Sequence, residues 1–144
     1  MRYCTWHYRP FTFVILMLLS ATCLSHAEPV VIVSRHNPID SLHREDIRNI
    51  YLGKIFTFPD GLPVIPLDNS HTLRAHFYQD TCHMTESQVR AWWAAQVFTS
   101  ASQPPHDVPD DAQIVHMVEH DPRMVGYIES THINAGVKIV YIVP

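Results

Sequence analysis

The sequence predicts an α/β fold, and two observations support this prediction. Of the 144 residues, 47% are hydrophobic and 17% are charged, which is the composition of a globular protein rather than of a disordered one. Apolar, β-branched runs alternate along the chain with segments whose apolar residues recur at helical spacing. Strands that alternate with helices favour an α/β sandwich over a helical bundle.

The amino-terminal residues have the pattern of a secretory signal peptide. A basic start at Arg2 and Arg9 precedes the uncharged apolar run 11–19, and small residues lead up to Ala27. The apolar run is shorter than the roughly 20 residues that a membrane span needs, so an uncleaved anchor is the weaker alternative. We therefore expect a signal peptide over residues 1–27, cleaved after Ala27, and one domain that follows it.

Charge and cysteine content narrow the classes of function. The chain beyond residue 27 keeps eight of the ten basic residues and all fourteen acidic ones, a formal net charge of −6 with histidine neutral. Nucleic-acid-binding proteins concentrate positive charge, so no nucleic-acid partner is expected. Cleavage removes Cys4 and Cys23 and leaves Cys82 alone, so the exported chain has no intramolecular disulfide.

One strand and one helix are predicted before residue 60. Residues 29–34 form a β-branched run of the length of a buried strand. Asp40 or Ser41 is expected to cap a short amphipathic helix, which Gly53 stops. The apolar face of that helix comprises Ile47, Ile50 and Tyr51.

The middle of the chain is predicted to hold one strand and two helices. Residues 62–67 form the strand, which its two prolines place at the edge or the start of a sheet. The second helix carries Leu73 and Phe77 inward, and residues 85–88 have the form of a capping box for the third. The third helix also contains Val89, Trp92, Trp93, Gln96 and Val97. Its adjacent tryptophans point about 100° apart, so we expect one of them in the core and the other nearer the surface.

The last part of the chain is predicted to be a loop, a helix and two strands. Residues 100–109 form the proline-containing loop, and Asp110 caps a fourth helix that ends at residues 121–122. That helix turns Ile114, Met117 and Val118 inward. Residues 126–128 and 137–143 form the closing strands.

Three stretches of the chain match a known family in order and spacing. They are residues 30–42 (VVIVSRHNPIDSL), 46–68 (DIRNIYLGKIFTFPDGLPVIPLD) and 111–129 (DAQIVHMVEHDPRMVGYIE). The most specific part is residues 50–54 followed by the Asp-Gly pair at residues 60–61. Together they resemble the periplasmic phosphate-binding, or substrate-binding, proteins of phosphate ABC transporters.

The resemblance implies both a fold and a function. Family members usually have two lobes, and this chain resembles a small single-lobe member of the type 2 periplasmic binding protein-like superfamily. The implied fold is one such lobe over residues 28–144, a mixed central sheet flanked by helices. The implied function is non-catalytic recognition of a small oxyanion such as phosphate by a secreted, periplasmic protein that serves an ABC transporter.

In the family, an Arg-x-x-Gly-Ser-Gly-Thr loop between a strand and a helix holds the anion. This chain has Asp-Asn-Ser-His-Thr at the corresponding residues 68–72. One alignment register places His71 and Leu73 under the family's Ser and Thr. A shift by one residue places Ser70 and Thr72 there, and both registers stay open.

The turn departs from the family loop in its charge. The glycines and the arginine of the family loop are missing from this turn. Asp68 is expected to repel a dianion, whereas Arg74 restores one positive charge. The alternative interpretation is that Asn69 or Ser70 merely caps the helix that follows. The predicted ligand-binding residues are Asn69, Ser70, His71, Thr72 and Arg74 in the turn, with Ser34, Arg35 and Asn37 at the end of the first strand.

Neither a metal site nor a catalytic site is predicted. His116 and His120 lie four residues apart on the fourth helix, but no third ligand stands at a recognisable spacing, so no metal or other cofactor is expected. Cys82 is followed by His83 without the sequence signature of a cysteine hydrolase, so no enzymatic activity is expected. The rival function is an interaction module that docks on a membrane sensor, transporter or porin without binding a small ligand tightly.

Overall fold

The computed structural model describes residues 28–70, 73–100 and 102–144. The elements in these residues are β1 (Pro29–Ser34), α1 (Arg44–Tyr51), β2 (Ile65–Asn69), α2 (Arg74–Cys82), α3 (Glu86–Ser100), β3 (His106–Val108), α4 (Asp111–His120), β4 (Met124–Glu129), a short 3₁₀ helix (Ser130–His132) and β5 (Val137–Ile142). The predicted signal peptide lies outside the described residues. No helix of the described residues is long and apolar enough to cross a membrane.

The strands form one mixed sheet in the order β3-β2-β4-β1-β5. β2 runs parallel to β3 and β4, whereas β1 runs antiparallel to β4 and β5. β2, β3 and β4 therefore point the same way, and their carboxyl ends lie together where these strands end. The carboxyl end of β1 lies on the opposite side, where β4 begins. The α/β prediction, with a mixed central sheet flanked by helices, is confirmed.

The two faces of the sheet pack against different layers. Every residue of β1 is buried, because successive side chains of a strand point to opposite faces and both faces are covered. Val31 and Val33 belong to the larger core, which also holds the inward residues of α1, α2 and α3. Val30 and Ile32 belong to the smaller core with α4.

Several predicted elements are confirmed in detail. The Thr85 backbone N–H donates to the Gln88 side chain at 2.8 Å, and the Gln88 N–H donates back to Thr85 Oγ1 at 3.3 Å, so the capping box of α3 is formed. Asp110 caps α4 by accepting from the Ala112 N–H at 2.9 Å. Leu73 and Phe77 are both buried, as predicted for α2.

The two tryptophans of α3 divide their roles as predicted. Trp93 is 6% exposed in the larger core, whereas Trp92 is half-buried and donates its indole N–H to the Leu52 carbonyl at 3.1 Å. Gly53 follows the end of α1 at a φ of +66°, and a Cβ on it would stand 2.5 Å from the Trp93 ring. A glycine is therefore needed at this stop for two reasons, its backbone angle and the approach of α3.

Three predictions about individual elements are wrong. The amino-terminal cap of α1 is His43 rather than Asp40 or Ser41, because the Asp46 carboxylate accepts the His43 N–H at 3.0 Å and fixes the start there. The predicted loop 100–109 contains β3, which is too short to show strand periodicity.

The third error concerns the placement of β2. The strand is Ile65–Asn69 rather than residues 62–67, and it lies inside the sheet between β3 and β4 rather than at an edge. Pro66 is tolerated there because β3 pairs with β2 only from Leu67 onward, so the proline has no partner strand on that side.

Candidate functional site

The candidate site is the turn at which β2 ends and α2 begins, at the edge shared by the carboxyl ends of three parallel strands. Ligands of open α/β sheets bind outside the carboxyl ends of such strands. The Ser70 N–H donates to the Val108 carbonyl at 3.1 Å, which ties the start of the turn to β3. The predicted ligand residues His71 and Thr72 lie outside the described residues.

Asp68 is a buried side chain of β2 rather than an exposed charge of the turn. It is 1% exposed and accepts hydrogen bonds from the hydroxyls of Tyr78, at 3.1 Å, and Tyr127. Arg74 Nη2 lies 3.0 Å from the same carboxylate. Burial raises the pKa of Asp68, while the Tyr127 hydrogen bond and the Arg74 charge act to lower it. The expectation that Asp68 repels a dianion from the turn is corrected, since Arg74 compensates its charge.

Arg74 is the first residue of α2 and connects the pair to the surface. Its side chain is 21% exposed, and its Nη1 lies 3.7 Å from Asp107. Burial acts to lower the pKa of Arg74, but the neighbouring Asp68 and Asp107 carboxylates raise it above its ordinary value. The guanidinium is therefore held charged at the start of α2.

An aromatic cluster under the turn holds this pair in place. Phe77 stacks on Tyr127 with ring centroids 3.8 Å apart, and Tyr51 meets both rings edge-on. The Tyr51 hydroxyl donates to the Leu67 carbonyl at 3.0 Å. Burial raises the pKa of Tyr51, Tyr78 and Tyr127, so these hydroxyls stay protonated donors.

Asn69 belongs to a second network, on the α4 side of the turn. Its side-chain amide donates to Asp111 Oδ1 at 2.6 Å. The other Asp111 oxygen accepts the Glu129 N–H at 2.9 Å and lies 2.7 Å from His132 Nδ1. The Asp111 hydrogen bond raises the pKa of His132.

The start of α2 bears on the interpretation of the turn as a helix cap. The residue before the first turn of α2 is Leu73, which makes no side-chain cap hydrogen bond. The alternative interpretation, in which Asn69 or Ser70 only caps α2, stays a prediction, because residues 71 and 72 lie outside the described part of the chain.

A cavity of about 330 Å³ adjoins the turn on the α4 side. Its lining residues are Asn69, Leu73, Pro109, Asp110, Asp111, Glu129 and His132. Three of them are carboxylates, so this side of the turn disfavours an anion.

The structure does not bring the first-strand candidates to the turn. β1 ends at Ser34, and Arg35 and Asn37 come directly after it. All three therefore lie at the carboxyl end of β1, away from the turn, where each side chain donates to a backbone carbonyl. The acceptors are the carbonyls of Glu119 at 3.3 Å, Ala135 at 2.8 Å and Pro122 at 2.8 Å, respectively.

The remaining candidate residues have structural partners. His116 and His120 pack with ring centroids 4.4 Å apart, and His120 Nδ1 lies 2.8 Å from the His116 carbonyl. Within the described residues, no group of three or more potential metal ligands comes together. Cys82 is buried, which raises the pKa of its thiol.

Comparison with solved structures relates this sheet to phosphate receptors. An ABC-type phosphate transport receptor from Vibrio cholerae matches with a TM-score of 0.59 at 17% identity, over 78% of this chain and 45% of the receptor. A putative phosphate ABC transporter substrate-binding protein with bound phosphate from Clostridium perfringens matches with a TM-score of 0.61 at 19% identity, over 78% and 44%. This chain has the fold of one lobe of such proteins.

The similarity lies in the fold rather than in the sequence. PstS from Borrelia burgdorferi matches at 16% identity with a TM-score of 0.57, over 78% of this chain and 46% of PstS. The chain thus spans less than half the length of these three proteins. No profile of a known protein family and no curated protein matches it.

Sequence reasoning missed the residues that hold the turn together. The sequence places Tyr127 in a predicted strand without a role at the turn, and it assigns no role to Tyr78, Asp111 or His132. Tyr127 could have been found, because alternation along β4 places it on the same face as Val125, towards the larger core. A buried tyrosine hydroxyl requires a partner, and the neighbouring β2 offers Asp68.

Proposed function

We propose that this protein is a secreted, non-catalytic binding protein that recognises a small oxyanion such as phosphate at the turn 68–74. The observation that carries the proposal is the position of Arg74. Arg74 is the first residue of α2, and its guanidinium is held by Asp68. The backbone N–H groups and the partial positive charge at the start of a helix also favour an anion. The phosphate bound to the Clostridium perfringens protein of similar fold supports the same ligand class.

The roles at the turn follow from these contacts. Arg74 supplies the charge through Nη1, whose contact with the exposed Asp107 is loose at 3.7 Å. Ser70 and Thr72 supply hydroxyl donors, and the amide of Asn69 keeps the end of β2 tied to α4. His71 adds an imidazole ring, which can donate a hydrogen bond. The secreted, periplasmic location rests on the signal-peptide pattern and on the similar fold.

Calorimetric titration with phosphate tests this function. Loss of the Arg74 charge is best measured in the double variant D68N/R74A, because removing Arg74 alone leaves a buried carboxylate without its counter-ion. Binding should weaken in the double variant by about tenfold or more, the value of a charged hydrogen bond. D68N alone should bind more tightly, most visibly at low salt, because the dianion then meets an uncompensated cation. No heat from any of these folded proteins would refute oxyanion binding.

A second candidate function is docking on a membrane sensor, transporter or porin. The observation that favours it is the exposed apolar end of α3, where Phe98 is 91% exposed and Val97 is 51% exposed. A thermal shift with phosphate and sulfate separates the two functions, since a ligand at 100 times its dissociation constant stabilises a fold by about 2.7 kcal/mol. A folded protein without any such shift would favour docking.

A further inference from the structure

A second cavity lies on the other side of Arg74, between α2, α3 and the segment 104–107. Its volume is about 270 Å³, and its lining includes Val89, Trp93 and Pro105 as apolar walls. Arg74, Arg90 and Asp107 line the same cavity. Asp68 lines it as well, so two arginines face two carboxylates there, whereas the cavity beside Asp111 is lined by three carboxylates and no arginine among the described residues.

Two buried N–H donors of this lining have no acceptor. Among the described residues, neither Arg74 Nε nor Trp93 Nε1 has a hydrogen-bond partner, although both atoms are buried. The great majority of buried donors are paired, because an unpaired one loses its hydration without compensation. The two residues that carry these donors both line the cavity, so an acceptor bound there would lie near them.

Other contacts support the two side chains. The six-membered ring of Trp93 packs against Gly53, and Trp93 is 6% exposed. Arg74 is held through Nη2 by Asp68 at 3.0 Å. The unpaired N–H groups therefore belong to well-supported side chains rather than to surface rotamers.

The charges around the cavity select the kind of acceptor. Arg90 is 63% exposed, and among the described residues it is engaged by Ser87, at 3.0 Å, and by Glu86, at 3.8 Å. Asp107 is 64% exposed and lies 3.7 Å from Arg74 Nη1, which places a movable carboxylate beside the guanidinium. A ligand carboxylate can displace Asp107 from Arg74 at little cost, since exposed ion pairs of this kind contribute little stability.

We propose that this cavity binds a small organic carboxylate with an apolar body. Its oxygens accept hydrogen bonds from Arg74 Nε and Trp93 Nε1 after a small movement of these side chains, and its apolar part packs on Val89 and Pro105. An inorganic oxyanion lacks a group that would cover the apolar walls, so the cavity and the turn take different ligands although Arg74 borders both.

The test follows the two indole protons by NMR in the ¹⁵N-labelled exported protein. The probe is benzoate, and benzamide serves as a control of the same shape without the charge. Benzoate should shift the Trp93 indole proton downfield and saturably, because that proton gains an acceptor. The Trp92 proton, which already donates to Leu52, should stay in place. An unmoved Trp93 proton, or an equal shift with benzamide, would overturn the proposal.

Matched variants separate this site from the turn. W93F should weaken benzoate binding by about tenfold, the value of a hydrogen bond to a charged group, while W92F should leave it unchanged. S70A should weaken phosphate binding at the turn and leave benzoate binding unaffected. An unchanged benzoate affinity in W93F would refute the carboxylate site, whereas failure of phosphate binding alone would refute only the proposed function.

Discussion

Replacing Arg74 by alanine should lower the free energy of unfolding more than any other change at the turn. Arg74 Nη2 lies 3.0 Å from the carboxylate of Asp68, which is 1% exposed. Without Arg74, that carboxylate keeps two hydroxyl donors, Tyr78 and Tyr127, but has no counter-ion.

The expected loss can be estimated from this geometry. Breaking a buried ion pair by removing one partner costs about 3–5 kcal/mol, because the other charge stays buried and uncompensated. The two tyrosine hydroxyls continue to stabilise Asp68, so we expect the lower end, about 3 kcal/mol. For a domain of this size the melting temperature should fall by about 10 °C.

The double variant D68N/R74A identifies the cause of this loss. It lacks both charges, so it should recover most of the stability that R74A loses. The difference between the two variants should also depend on pH. Burial raises the pKa of Asp68, and the loss of Arg74 raises it further in R74A.

The direction of the pH dependence follows from proton linkage. In R74A the folded state binds the Asp68 proton more tightly than the unfolded state does. The stability of R74A relative to the double variant is therefore greatest below the ordinary aspartate pKa of about 3.9, and it falls as pH rises through the folded pKa. This difference in stability is measured by urea unfolding at several pH values, with tryptophan fluorescence as the signal. Equal stabilities of the two variants at every pH would refute the reasoning.

Three further predictions concern packing and export. Trp93→Ala should cost about 3–5 kcal/mol in the free energy of unfolding, and Trp92→Ala clearly less, because only Trp93 is fully buried; equal melting temperatures would contradict this. Gly126→Ala should cost about 1–3 kcal/mol, since the new Cβ would stand 2.5 Å from Ile114 Cγ2, and a denaturation curve like that of the wild type would count against the packing of α4 on β4. The exported chain should begin at Glu28, and an intact mass that includes residues 1–27 would show otherwise.

The fold was predictable because its strongest determinants are local. The β-branched run of β1, the capping box before α3 and the Asp110 cap of α4 are each visible within a few residues of sequence. Pairing between distant segments was not predictable. β3 has three residues and owes its strand conformation to pairing with β2, so no local pattern shows it.

The candidate site was predictable only in part, for the same physical reason. The turn and Arg74 follow from the order of strand and helix along the chain. The burial of Asp68 depends on Tyr127, which is 59 residues away in sequence and meets it only because β4 pairs beside β2. Likewise, Ser34 and the turn each lie at the carboxyl end of a strand. β1 runs antiparallel to β4, however, so its carboxyl end and Ser34 lie on the opposite side of the sheet from the turn.

The pairing of Asp68 with Arg74 also limits how tightly the turn can hold an anion. The guanidinium that attracts the ligand is already compensated by a buried carboxylate 3.0 Å away, so the net charge that the ligand meets is small. A single lobe also leaves one side of the ligand in water, whereas binding sites generally bury most of their ligand. Both effects reduce affinity without changing which anion is preferred. We therefore expect the isolated chain to bind phosphate with a dissociation constant nearer 1 mM than 1 μM, a difference of about 4 kcal/mol that a second surface closing over the turn would have to supply.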